Sequence, residues 1–126
     1  MLQTGIRGSG ERLVTEALTA ASMGSGELPV FATPALAALV EETAWRSVAA
    51  FLEPGQGTVG AYLELSHLAP TPVGRRVRCE TELTEAEGRK LTFTAVAYDE
   101  AGKIAEGIHR RFVVDNGRFL AKADGR

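Results

Sequence analysis

The sequence predicts an α+β domain: an antiparallel sheet of about five strands wrapped round one long central helix. Three observations point to it. Residues 30–54 read as a helix with a marked start and stop, period-two alternation recurs in the segments that follow, and short turns join those segments. At 126 residues the chain is read as one domain over residues 1–126, large enough for a core and small enough to gain from association with a second copy.

Taken in order, residues 1–10 are rich in glycine and expected to be loose, residues 11–20 form a first strand of weak alternation, and residues 22–29 are a connecting loop. The helix follows. Thr33 is read as its N-cap, Pro34 suits the first helical position because its missing N–H costs nothing there, and Pro54-Gly55 ends it. On a helical wheel Glu41 is flanked only by Pro34, Ala37, Ala38, Ala44, Trp45, Val48 and Leu52. Glu42 shares a side with Arg46 instead, an exposed pair worth ~0.3–0.5 kcal/mol.

After the helix, residues 58–69 form the clearest strand. One face carries Val59, Ala61, Leu63, Leu65, His67 and Ala69, and the other Gly60, Tyr62, Glu64, Ser66 and Leu68. Pro70, Pro72 and Gly74 break it. Residues 76–85 set a wet face (Arg76, Arg78, Glu80, Glu82) against a dry one (Val77, Cys79, Thr81, Leu83), Glu87-Gly88 turns into residues 90–98, and a second turn leads into residues 103–114. Asn116-Gly117 reads as a further turn, with Phe119-Leu120 as a short last piece.

Composition narrows the function. A net charge of −2 with scattered Lys and Arg argues against nucleic acid, and no stretch is apolar enough for a membrane span. No signal-peptide pattern opens the chain, and one cysteine, Cys79, suits a reducing compartment, so a cytoplasmic protein is expected. Cys79 alternates with apolar positions and reads as a buried strand residue rather than a nucleophile. No metal-ligand spacing and no glycine-rich phosphate loop occurs, so neither metal nor cofactor is expected.

Two ionisable residues stand on apolar faces, Glu41 and His67, and Thr33 adds a hydroxyl at the helix start, where the dipole favours negative charge. Each has a plain alternative. Thr33 is read simply as an N-cap, Glu41 as neutralised by one backbone partner or lying at a subunit contact, and His67 as a satisfied core histidine or one at the wet end of its strand. Gly60 within the best strand reads as a bulge or as a close approach of backbone or ligand. His109, beside Arg110 and Arg111, reads as surface.

VFATP at the helix start, Glu41 eight residues after Thr33, FLEPGQGTVG, SHLAPTPVG with His67, EAEGRKLTF and GIHRRFVV together resemble the hot-dog-fold acyl-CoA thioesterases related to fluoroacetyl-CoA thioesterase. The likeness spans residues 30–114. It implies Thr33, Glu41 and His67 as a catalytic triad and Gly60 as a backbone element beside the thioester. It also implies an acyl-CoA substrate, with coenzyme A entering only as part of it, and a homodimer or dimer of dimers with active sites at the interface. One departure stands out: before VFAT the chain has only MGSGELP, and Glu27 occupies the position of the family's gating phenylalanine. The expected substrates are therefore short to medium or aryl acyl-CoAs, with no large preference for fluoroacetyl. A non-catalytic acyl-CoA-binding protein is the alternative. A hydratase is disfavoured because no Asp–His pair lies on or near the helix.

Overall fold

The computed structural model describes residues 2–126. Five strands form one antiparallel sheet: β1 (Arg7–Leu13), β2 (Gln56–His67), β3 (Arg76–Glu87), β4 (Lys90–Asp99) and β5 (Gly102–Asp115), in the order β1-β3-β4-β5-β2. Three α-helices accompany them among the described residues: a single turn, α1 (Ala20–Met23), the long α2 (Thr33–Ala49), and α3 (Asn116–Asp124) at the end of the chain. A 3₁₀ turn at Glu16–Leu18 precedes α1. None of the described helices is long and apolar enough to cross a membrane.

Helix α2 lies on one face of the sheet and buries Ala35, Leu36, Leu39, Val40, Thr43, Ala44 and Val48. Its first half packs on Val77, Cys79, Ala95, Ala97 and Ile104, and its second half on Leu83, Leu91, Phe93 and Val113. The dry positions of β3 and β4 are thus the ones alternation selects. Burying each large aliphatic or aromatic side chain contributes about 1.5–3 kcal/mol.

The chain departs from expectation at both ends. Arg7–Leu13 is a strand, so residues 7–10 are not loose; Met1 lies outside the described residues. The glycines serve close approach: a Cβ on Gly8 would stand 2.8 Å from the Thr43 carbonyl oxygen, and one on Gly10 2.6 Å from Thr43 Oγ1. The strand expected over residues 11–20 stops at Leu13, and α1 follows, capped by Thr19, whose hydroxyl accepts from the Ser22 N–H (3.2 Å). At the other end, Asn116-Gly117 opens α3 rather than a turn, and Phe119 and Leu120 lie in that helix. Its later residues, Arg-Phe-Leu-Ala-Lys-Ala, are mostly good helix formers.

The fold also interrupts β2. Gly60 pairs with Arg111 and Tyr62 with Arg110, leaving Ala61 as an extra residue. Such a bulge shifts the side-chain alternation by one. Gly60 before it and His67 after it, placed on opposite faces by uninterrupted alternation, consequently both face α2.

Candidate active site

The start of α2 is pinned by backbone bonds. The Phe31 N–H donates to the Thr71 carbonyl (2.8 Å) and the Ala32 N–H to the Leu18 carbonyl (2.9 Å). Ala32, not Thr33, stands at the cap position, and no side chain caps the helix. Thr33 is the first helical residue, so its hydroxyl is not spent on the backbone: Oγ1 lies 2.8 Å from His67 Nδ1. An α-helix leaves its first N–H groups unpaired. Here Leu18 takes that of Ala32 and Pro34 has none, which leaves the Thr33 and Ala35 N–H groups without a backbone acceptor among the described residues.

His67 closes β2 and lines, with Thr33, Val30, Phe31, Leu68 and Pro70, a cavity of about 290 Å³. Burial pushes its imidazole below the ordinary value of 6.5, and the Ala69 backbone opposes that shift. Ala69 does not meet the ring with hydrogen-bond geometry, however, and Nε2 is buried without a partner among the described residues. The burial effect is therefore the one that governs, and the ring is neutral near pH 7. With the proton on Nε2, Nδ1 accepts from the Thr33 hydroxyl, the polarity that activates an oxygen nucleophile.

Glu41 lies eight residues further along α2, about 12 Å at 1.5 Å per residue. Its side chain is 45% exposed, and Oε2 sits 3.3 Å from Arg111 Nη1. Apolar neighbours alone do not describe its setting. One side holds a buried arginine, and the other is an uncovered apolar stripe that includes Pro34, Ala38 and Trp45. A Cβ on Gly60 would come within 2.3 Å of Glu41 Oε2, so the missing side chain is what admits the carboxylate. A second cavity, about 240 Å³, is lined by Glu41, Gly60, Ala61, Tyr62, Leu63 and His109.

His109 is not at the surface. It is 1% exposed, and Arg111 is 5% exposed. Both lie on the inner face of β5 with Val113, where alternation counted back from Val113 puts them; their basic character hid this. Arg111 Nε donates to Thr58 Oγ1 (2.8 Å), Nη2 to the Thr58 carbonyl (2.9 Å), and Nη1 to both Glu41 Oε2 (3.3 Å) and His109 Nε2 (3.1 Å). Cys79 is inert: burial pushes its thiol up to about 11. Within one chain, then, Thr33 meets His67 and Glu41 meets Gly60, in two separate cavities.

Residues 14–117 match the family described as fluoroacetyl-CoA-specific thioesterase. The chain is 39% identical over 93 residues to the fluoroacetyl-CoA thioesterase of Streptantibioticus cattleyicolor, which covers 74% of this chain and 67% of that protein. A solved structure of the fluoroacetyl-CoA thioesterase FlK superposes with a TM-score of 0.93 at 32% identity, covering 100% of this chain and 98% of the other. A hot-dog-like protein from Thermanaerovibrio acidaminovorans shares the fold alone, with a TM-score of 0.90 at 22% identity over 99% and 93% of the two chains. The five-stranded antiparallel sheet laid on one long helix is therefore a hot-dog fold, and the chain belongs to the fluoroacetyl-CoA-specific thioesterase family.

Proposed function

We propose that this protein hydrolyses acyl-CoA thioesters to the free acid and CoA, with Thr33, Glu41 and His67 as catalytic residues and Gly60 beside the bound thioester. The observation that carries the reading is the 2.8 Å contact between the Thr33 hydroxyl and His67 Nδ1, at a helix start with two N–H donors that lack a backbone acceptor among the described residues. A thioester carbonyl placed there is polarised by those donors, and the pair activates the attacking oxygen. Water supplies the hydroxyl of the acid as the C–S bond breaks, and the proton it gives up leaves on the departing thiolate as the CoA thiol. The chemistry uses neither metal nor added cofactor, so a chelator leaves the rate unchanged.

The working unit in this proposal is a homodimer, or a dimer of dimers, in the cytoplasm. Two features support it. Strand β2 is a twelve-residue sheet edge that exposes Tyr62 and Leu63, and Trp45 and Phe51 are further exposed apolar groups of the chain. Antiparallel pairing of two β2 edges centred near Leu63 sets Gly60 of one chain close to His67 of the other. Glu41 and the Thr33–His67 pair then share one cleft, each contributed by a different copy.

The substrates proposed are short to medium or aryl acyl-CoAs. Glu27, in the gating position, is exposed in the loop after α1, so no aromatic side chain closes the pocket there. One small substituent in an apolar pocket is worth only ~1–3 kcal/mol of discrimination. Thiol release from a panel of acyl-CoAs tests the reading: turnover of several is expected, and turnover of none overturns it. Preference for fluoroacetyl over acetyl by more than ~10³-fold, beyond what one such contact supplies, overturns the substrate range alone. Light scattering that finds a stable monomer at micromolar concentration overturns the shared cleft.

A further inference from the structure

We infer that His109 is a positioning residue that clamps Arg111 against Glu41 and ties both to the bulge in β2. The inference deepens the thioesterase reading and rests on it for the role of Glu41.

His109 has one partner on each ring nitrogen. Nδ1 lies 2.8 Å from the Tyr62 carbonyl oxygen, the residue just after the bulge, and Nε2 lies 3.1 Å from Arg111 Nη1. A carbonyl oxygen only accepts and a guanidinium only donates. Nδ1 must therefore carry the proton, and Nε2 must present its lone pair to Arg111. Protonating Nε2 would set two donors and two positive charges face to face in a buried site, and the charged groups around the ring are Arg111 and, beyond it, Glu41. Phe93 packs alongside, its ring centroid 6.2 Å away at 29°, and fixes the imidazole plane.

The consequence runs in both directions from the ring. Toward Tyr62, the bond holds the strand where it steps over Ala61, the step that turns Gly60 and His67 to the same face. Toward Arg111, it takes one Nη1 hydrogen and leaves the other for Glu41. With Thr58 holding Nε and Nη2, four of the five guanidinium hydrogens are committed, and the carboxylate is met by a guanidinium of fixed orientation.

Two substitutions separate the two bonds. Asn at position 109 places an amide donor near Nδ1 and keeps Tyr62, but removes the acceptor for Arg111; Gln reaches the Nε2 position and keeps that acceptor. His109→Asn is expected to lower kcat about 10²-fold, the size of a misplaced reacting group, with KM nearly unchanged. His109→Gln is expected to retain within about tenfold of wild-type kcat, the smaller displacement. The ¹⁵N shifts of the imidazoles at neutral pH give a readout that needs no turnover, with His67→Gln separating the two histidines: a protonated Nδ1 and a bare Nε2 are expected for His109. An Nε2-protonated ring overturns the clamp whether or not the wild type hydrolyses acyl-CoA. Equal losses in both variants that follow their losses in melting temperature, or unchanged kcat in His109→Asn, overturn it as well. A wild type that hydrolyses no acyl-CoA refutes the thioesterase reading instead, and with it the role of Glu41 that the clamp serves.

Discussion

The two cavities along α2 are built on different physical terms. At the helix start, Thr33 and His67 are joined by one hydrogen bond, and His67 Nε2 has no further partner among the described residues. In the middle of the helix, Glu41 is held by Arg111, which is itself held by Thr58 and His109. The first arrangement is sparse, with one ring nitrogen left over. The second is over-determined, with donors matched to acceptors in a buried network. Groups that move protons need an open valence. His67 keeps one on Nε2, and so does Glu41, which is bonded through Oε2 alone among the described residues. Arg111 and His109, which hold Glu41 in place, have nearly all of theirs committed.

The largest effect should come from the carboxylate at the centre of the contrast. Glu41→Gln keeps volume and removes the charge, and kcat is expected to fall ~10²–10⁴-fold, the usual cost of losing a general acid–base group. Circular dichroism should show the fold intact. An activity within a few fold of wild type would mean that the ordered cavity only supports the sheet.

Arg111→Met sharpens the difference through stability. It leaves His109 Nε2 as a buried acceptor without a donor, at a cost of about 1–3 kcal/mol, while the half-buried Thr58 carbonyl on the edge strand can turn to water. Glu41 adds little, because its half-exposed carboxylate rehydrates. Thr33→Ala, by contrast, removes one bond at an exposed helix start, so urea unfolding should rank Arg111→Met well above Thr33→Ala. The reverse order would remove the distinction between the two sites.

Gly60→Ala probes the space between them. The added methyl would meet Glu41 Oε2 at 2.3 Å, so the carboxylate must swing away from Arg111. A drop of about 10²-fold in kcat is expected, as for a misplaced group, with little change in melting temperature; wild-type turnover would show that Glu41 acts from some other position.

Acid tests the open site. Burial lowers the folded-state values of both His67 and His109 from 6.5, so the unfolded chain binds protons more readily. Stability from keeping the two rings neutral is fully present above about pH 6.5, the unfolded imidazole value, and is lost as pH falls below it toward the lowered folded values. Activity needs His67 Nδ1 free and should hold to a lower pH than stability does. A kcat profile falling with a midpoint at or above 6.5 would contradict a buried, neutral His67. The smallest effect is expected from Glu42→Gln, which loses partly exposed pairs with Arg12 and Arg46 worth at most about 1 kcal/mol and leaves turnover unchanged.

Sequence by itself determined the elements whose signal is local. Alternation places β3, β4 and β5 to within two residues, because each dry position is set by its own pleat. The long helix follows from spacing, although it ends at Ala49 and not at Pro54-Gly55, and so does the i,i+4 pair of Glu42 with Arg46. Tertiary structure decided what depends on a neighbour far along the chain. Gly8 and Gly10 look flexible in composition, yet they lie in a strand because they pair with Thr81 and Cys79 of β3, and they are glycines because Thr43 of α2 leaves no room for a side chain. Thr33 looks like a cap, yet the pinning of Ala32 by Leu18 makes it the first helical residue and frees its hydroxyl for His67. His109 and Arg111 look like surface charges until their partners, Tyr62, Thr58 and Glu41, are brought in from other elements. A buried ionisable group is stable only when distant groups satisfy it, and a composition count carries no record of which groups those are.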